Sequence, residues 1–419
     1  MKLKSIIPCL AICSLAVPYS VWAWGGAGHQ LIAAEAYRQL SPELKAEVSE
    51  VLKAHPDYAD WTAAYHPNAN YDQFAYFFMR CSNWPDEIRQ SGNKYDHPNW
   101  HYIDYPIRPP AFLFEPDARP NDNVLFGISE CEKTLSDTNA DPELRAAMLS
   151  YLVHLIGDEH QPLHCESLYS SNYTNGDRGG NDFYVMPANW AMGLHGIWDN
   201  LLGSSVNPHI QWNYAIELEN EFPRTALPEL TNHLTPKEWS LEGRELALDK
   251  GYLHGELKGS SNRDSAPGLP SDYTKNAKAV AEKQGALAGY RLADEISRYL
   301  KCARPVPLLP VKTFTAAETV LPSKIGIADA HLYYDETMVV TGKVYQVTEK
   351  PNINFINLDG ASPASAFTII IFPDNAAKFG DLKKFQGQNI EISGSITEYK
   401  HKPEIILDSP DQIKVVSEK

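Results

Sequence analysis

The sequence predicts a mainly α-helical N-terminal domain joined by a proline-rich linker to a small all-β barrel. Three observations carry this reading. Apolar residues recur at three- and four-residue spacing as far as Cys302, then give way to short β-rich runs separated by turn residues. Between the two patterns, residues 303–310 (Ala-Arg-Pro-Val-Pro-Leu-Leu-Pro) read as a stiff spacer. A length of 419 residues accommodates two domains, and 43% hydrophobic with 21% charged side chains is the composition of a folded globular chain.

The N-terminus is set apart first. Lys2 and Lys4 precede an apolar stretch from Ile6 to Val17, and Val21 and Ala23 stand where signal peptidase requires small side chains. Residues 1–23 therefore read as a signal peptide cut after Ala23, which makes the mature protein secreted or periplasmic, beginning at Trp24. Beyond it no apolar run is long enough to span a bilayer, and no stable membrane association is expected. Of the six cysteines, Cys81, Cys131, Cys165 and Cys302 survive cleavage. An even number in an exported chain predicts two disulfides, with three pairings open. No two of these cysteines are close enough in sequence for a zinc knuckle.

Helical periodicity marks residues 30–40, 42–54, 142–156 and 277–300. Pro106, Pro109, Pro110, Pro116 and Pro120 mark a long irregular connection, and residues 259–272 a loop rich in Gly, Ser and Pro. After the linker, residues 338–347, 366–372, 390–396 and 404–407 are β-rich runs. Roughly five strands in about a hundred residues suggest an OB-fold-like barrel over residues 311–419. Tyr333, Tyr334, Phe355 and Phe372 either fill that barrel or offer stacking surface to a nucleic-acid strand.

The chemistry starts at His154-Leu-Ile-Gly-Asp158-Glu-His160-Gln-Pro-Leu-His164. Positions 154 and 158 share one helix face, so both side chains can reach one metal ion. Pro162 should end the helix and let His164 point elsewhere. His160, two residues beyond Asp158, falls on the far face and reads as a supporting or surface residue. His195-Gly-Ile-Trp-Asp199 repeats the four-residue spacing. Alone it is a weak signal, and its weight comes from matching ligand chemistry beside the first cluster. Upstream, Gly179-Gly180-Asn181 can bring backbone close to a ligand. Trp84-Pro-Asp86-Glu-Ile-Arg89 and Trp100-His101-Tyr102-Ile-Asp104 add zinc-type ligands in Asp86 and His101 and a phosphate-binding candidate in Arg89. The two tryptophans read as core. Finally, in Trp24-Gly-Gly-Ala-Gly-His29, cleavage would leave Trp24 a free α-amine able to lose its proton and chelate a metal together with its own carbonyl.

This motif set resembles the zinc-dependent single-strand-specific nucleases of fungi, plants and bacteria, which share a phospholipase C/nuclease-type helical fold with bacterial zinc phospholipase C. The resemblance covers residues 24 to about 302. It implies three zinc ions: one held by Asp86, His101, His154 and Asp158, and one by Trp24, His29 and the bridging Asp158. The third, more open, would be held by His164, His195 and Asp199. It further implies that Arg89 holds a non-bridging phosphate oxygen and that Asp104 orients the attacking water. Asn181 with the Gly179-Gly180 backbone would line a base pocket, and Tyr102 would stack on the base. The expected substrate is single-stranded DNA or RNA cut to 5′-phosphates by a monomeric endonuclease, with 3′-nucleotidase activity as a companion. A zinc phospholipase C and a non-catalytic zinc-stabilised binding protein are the rival readings.

Charge is the one discordant feature. The whole chain carries −16, and loss of Lys2 and Lys4 makes the mature protein two units more acidic. Enzymes that grip nucleic acids usually present a basic footprint, so the cations of a metal cluster would have to supply positive charge locally.

Overall fold

The computed structural model describes residues 24–66, 70–89, 91–108, 121–300, 324–333, 337–350, 353–361, 365–399 and 402–416. The expected signal peptide, the linker, Cys302, Tyr334 and four of the five marker prolines lie outside the described residues. Two separate hydrophobic cores, one within residues 24–300 and one within 327–413, match the two patterns in the sequence.

The first core is helical. Helix Pro142–Glu159 runs through its middle, with every residue from Arg145 to Glu159 buried. Because it is enclosed on all sides, its polar residues His154, Asp158, Glu159 and Arg145 also lie inside, where each must find a partner or bind something. Asp141 starts it, its carboxylate accepting from Leu144 N–H at 3.0 Å with Pro142 at the first helical position. Such a cap contributes about 1 kcal/mol. The helix ends at Glu159, and Pro162–His164 forms a separate 3₁₀ turn that redirects His164. Helix Gly26–Gln39 packs between Pro208–Glu221 and the long helix Tyr273–Tyr299. There Gly289 lets the backbones close in, since a Cβ on it would stand 2.3 Å from Glu35 Cγ.

The second core lies inside a sheet. Strand Thr337–Lys350 pairs antiparallel with Ile353–Leu358, which pairs antiparallel with Phe367–Ile371. That strand pairs in parallel with Lys402–Ile406, which pairs antiparallel with Asn389–Tyr399, which returns to Thr337–Lys350. Inward-facing Val340, Ile356, Phe367, Ile369, Ile392 and Ile405 are fully buried. Helix Pro373–Phe379 lies in the connection between strands Phe367–Ile371 and Asn389–Tyr399. Of the aromatic candidates, Tyr333 packs on this core, whereas Phe372 is exposed and Phe355 lies half-buried beneath the Lys350 ammonium.

One expectation is corrected here. Cys81, Cys131 and Cys165 are buried free thiols in this structure, so none of the expected disulfides is formed among the described residues. Each behaves as a small apolar residue in a different part of the helical core: Cys81 Sγ donates to Phe78 O and Cys165 Sγ to Glu159 O, both at 3.2 Å, while Cys131 Sγ lies 4.0 Å from Met148 Sδ. An even count in an exported chain permits disulfides but does not bring the sulfurs together.

Candidate metal centre

Three clusters of His and Asp side chains converge inside the helical domain: His29 with His154 and Asp158, Asp86 with His101 and His154, and His164 with His195 and Asp199. Eight of the nine ligands expected from the sequence are thus brought together. The first two clusters share His154, and Asp158 lies between them. Its Oδ1 faces His29 Nε2 at 3.2 Å, while its Oδ2 faces His101 Nδ1 at 3.0 Å and His154 Nε2 at 3.1 Å. A carboxylate whose two oxygens face different ligand sets has the geometry of a bridge. Asp86, on the short helix Trp84–Glu87, approaches from the other side, its Oδ1 3.6 Å from His101 and 3.8 Å from His154.

Backbone carbonyls aim the rings. His154 Nδ1 donates to Ser82 O at 2.7 Å, His164 Nδ1 to His101 O at 2.6 Å, and His195 Nδ1 to Gly179 O at 2.6 Å. Each bond places a proton on Nδ1 and turns Nε2 into its cluster, where the neutral ring offers a bare lone pair. In the third cluster the consequence is sharp, because the Nε2 atoms of His164 and His195 face each other at 3.1 Å. Two lone pairs at that distance repel unless a cation lies between them. Asp199 Oδ1 completes this cluster, 3.6 Å from His195 Nε2 and held by Gln161 Nε2 at 2.8 Å.

The residues therefore fit metal ions of the zinc type. The donors are the N and O atoms zinc takes, and His101 Nε2 and both ring nitrogens of His29 are buried without a hydrogen-bond partner. Burial lowers His29 to about 4 and His101 and His195 to about 3, so these rings are neutral ligands at physiological pH. Burial would lower His154 as well, but Asp158 and Asp86 raise it to about 9.

Trp24 is fully buried, and the next residue's N–H, that of Gly25, donates to Asp199 O at 2.8 Å, which holds Trp24-Gly25 against the third cluster. Arg89 Nη1 lies 3.5 Å from Asp86 Oδ1. Tyr102 is partly exposed, its hydroxyl donating to Asn99 Oδ1 at 3.4 Å, and Asp104 is half-buried. Trp84 and Trp100 are core residues, as expected. His160 is no surface residue: it is buried, with Nδ1 donating to Ile156 O and Nε2 accepting from Arg291 at 2.7 Å, on the helix side away from the clusters. Sequence reasoning missed the carbonyls of Ser82, His101 and Gly179, because a backbone oxygen leaves no mark on residue type. It also missed the cleft of about 960 Å³ that opens from Asp86 and Asp199 past Asn181 to Trp190 and Arg263.

A helical core that encloses three adjoining His/Asp clusters able to hold metal ions, with Asp86 and Asp199 lining a cleft, fits a hydrolase that works through metal ions. The S1/P1 Nuclease family model matches residues 24–301, and the chain belongs to that family. It is a nuclease. Among its relatives, Endonuclease 4 of Arabidopsis thaliana is 27% identical over 66% of this chain and 88% of its own length. Nuclease P1 of Penicillium citrinum is 27% identical over 43% of this chain and 58% of its own, and Nuclease S1 of Aspergillus oryzae 25% identical over 45% and 58%. Nuclease names throughout favour this reading over a phospholipase C or a non-catalytic binding protein.

Proposed function

We propose that the chain is an exported, monomeric three-zinc endonuclease that hydrolyses single-stranded DNA and RNA to 5′-phosphate products and also removes 3′-phosphates from mononucleotides. The observation that carries this is the division of the Asp158 carboxylate between His29 on one side and His101 with His154 on the other, beside a separate third cluster. In this reading Asp86, His101, His154 and Asp158 hold one ion, the Trp24 amine and carbonyl, His29 and Asp158 a second, and His164, His195 and Asp199 a third. The chemistry such ions supply when bound is a water acidified to near-neutral pH and positive charge for the departing 3′-oxygen.

The chain's own groups do the rest. Arg89 holds a non-bridging phosphate oxygen, and Asp104 accepts a hydrogen bond from the attacking water and fixes its direction. Tyr102 and Asn181, with the Gly179-Gly180 backbone, receive a base, and a base can enter such a pocket only after leaving its stack, which costs energy in a duplex. The rest of the organisation belongs to the same proposal: cleavage after Ala23, the nuclease domain over 24–302, the linker over 303–310, and an OB-like barrel over 311–419. What supports an OB-like barrel is the circuit of five strand pairings with its one parallel step.

The test is to purify the exported protein, determine its N-terminal residue and metal content, and assay it on single-stranded DNA, RNA and phosphatidylcholine. About three zinc ions per chain, Trp24 at the N-terminus and chelator-sensitive release of 5′-nucleotides are expected. Lipid cleavage without nucleotide release, or fewer than two zinc ions in an active enzyme, refutes the reading.

A further inference from the structure

The third cluster is backed by a stretch of backbone that other elements must hold in place. Four of the five residues from Gly176 to Gly180 are left-handed, with φ +85° at Gly176, +58° at Arg178, +61° at Gly179 and +82° at Gly180. Arg178 does not adopt that conformation without restraint. The same loop carries the Gly179 carbonyl that receives His195 Nδ1 at 2.6 Å, so its position decides where His195 Nε2 points. Asp177, the fifth residue of the run, is fully buried and pins it. Its Oδ1 accepts from Leu168 N–H at 2.8 Å and its Oδ2 from the Tyr252 hydroxyl at 2.6 Å. The Gly180 N–H points to the same carboxylate and favours its charged form. Glu166 Oε1 lies 2.8 Å from the Tyr252 hydroxyl, which is thereby enclosed between two buried carboxylates.

Tyr252 is itself placed by unusual backbone. It follows a single π-helical turn, Ala247–Gly251, and its N–H donates to Ala247 O at 2.8 Å. It precedes Leu253 and His254, which are left-handed at φ +50° and +55°. Turns and residues of this kind persist only where their surroundings over-determine them. Here the surroundings are the back of the third cluster. Gly251 O accepts from the Tyr273 hydroxyl at 2.7 Å, and that hydroxyl accepts from Trp198 Nε1 at 3.0 Å. Trp198 is the neighbour of Asp199 on helix Leu194–Asp199. A Cβ on Gly251 would stand 3.2 Å from Leu163 Cδ2, next to His164. Gly251 and Tyr252 therefore reach the supports of His195, Asp199 and His164 alike.

We propose that Tyr252 and Asp177 are positioning residues of the third metal site: the bond between them fixes the Gly176–Gly180 loop and, through the Gly179 carbonyl, aims His195. The proposal rests on the metal reading above. Neither residue belongs to the three clusters, so each acts through the loop and not as a ligand. The first two clusters are oriented from elsewhere, His154 by Ser82 O, so the effect is confined to the third.

The experiment is zinc competition of the full protein, first stripped of metal, against a chromogenic chelator. It compares wild type with Tyr252→Phe, which keeps the ring against Phe183 and removes only the hydroxyl. Wild type should take up about three zinc ions. In Tyr252→Phe one ion should bind about 10–100-fold more weakly while the others bind as in wild type, and activity lost at low free zinc should return when zinc is added. Asp177→Asn should show the same single-ion defect, and the double variant no more than the stronger single one, because the two residues act as a unit. Tyr37→Phe is the control for a merely structural role, since it removes another buried hydroxyl bonded to an aspartate, Asp72 at 3.4 Å, and should leave zinc binding unchanged. Wild-type affinity for every ion in Tyr252→Phe and Asp177→Asn overturns the proposal, as does equal weakening of all the ions. A wild-type protein that retains no zinc refutes the metal reading itself, and that outcome is visible before any variant is made.

Discussion

Gly179→Ala tests how the third cluster is oriented. Gly179 sits at φ +61°, and a Cβ there would stand 2.3 Å from Leu163 O and 3.2 Å from His195 Nδ1. The left-handed backbone costs an alanine about 1–2 kcal/mol. Pushing the new carbon and the Leu163 carbonyl back to van der Waals separation costs a further ~1–3 kcal/mol. A loss of about 2–5 kcal/mol in folding stability follows, and the backbone shift breaks the 2.6 Å bond from His195 Nδ1 to Gly179 O. Freed of that bond, the imidazole can rotate or change tautomer, and affinity at its metal site should fall about 10–100-fold. Gly255→Ala is the control, for Gly255 has φ +87° with nothing within 4 Å, so only the backbone cost of about 1–2 kcal/mol applies. The assay is urea unfolding of each variant together with zinc competition against a chromogenic chelator. If Gly179→Ala binds zinc as tightly as wild type, or matches the control in stability, the argument that Gly179 serves His195 through its backbone is wrong.

Two further predictions concern buried charges away from the clusters. Burial, with Glu219 nearby, pushes Glu35 up to about 8 from an ordinary 4.5. The folded state then keeps a proton that the unfolded state sheds, so stability falls as pH rises from about 4.5 and levels off above about 8. Glu35→Gln should remove that slope and leave the variant more stable than wild type at the alkaline end, by on the order of 5 kcal/mol at most; parallel curves of Tm against pH would refute this. Arg291, buried between Glu242 at 2.9 Å and His160 at 2.7 Å and lying over the Trp239 ring, neutralises a carboxylate that burial would otherwise penalise. Arg291→Met should cost about 3–5 kcal/mol in denaturant unfolding while zinc content stays unchanged, and a cost under about 1 kcal/mol would show the pair to be dispensable.

The residues of the His/Asp clusters were legible because two constraints coincide in them. A helix places i and i+4 on one face, and few residue types bind zinc, so His154/Asp158 and His195/Asp199 announce themselves. Pro162 marked the turn that redirects His164, although the helix stops earlier, at Glu159. The helical and β-rich halves were equally plain from periodicity. Strand Ile353–Leu358 was not singled out, because Asn354 and Asn357 interrupt its apolar run; both are buried, and Asn354 Nδ2 reaches Ile371 O. The disulfide expectation failed because cysteine count constrains pairing only where the chain brings sulfurs close. His160 was placed on the correct side of its helix, but that side is interior, since the helix is enclosed all round.

The acidic charge of the chain and its work on a polyanion are reconciled by where each charge sits. The cluster histidines at positions 29, 101 and 195 are kept neutral by burial, and their carboxylates lie among them, so the unmetallated centre is a concentrated set of lone pairs. Each divalent ion received there adds two positive charges at the one place where phosphate must bind. The remaining acidic surface repels the dense charge of a duplex more than that of a single strand. The preference for single strands proposed above would rest on two requirements acting together, a base unstacked into a recessed pocket and a backbone flexible enough to present its phosphate to the metal centre. A duplex meets neither, which is why added salt alone should not convert it into a good substrate.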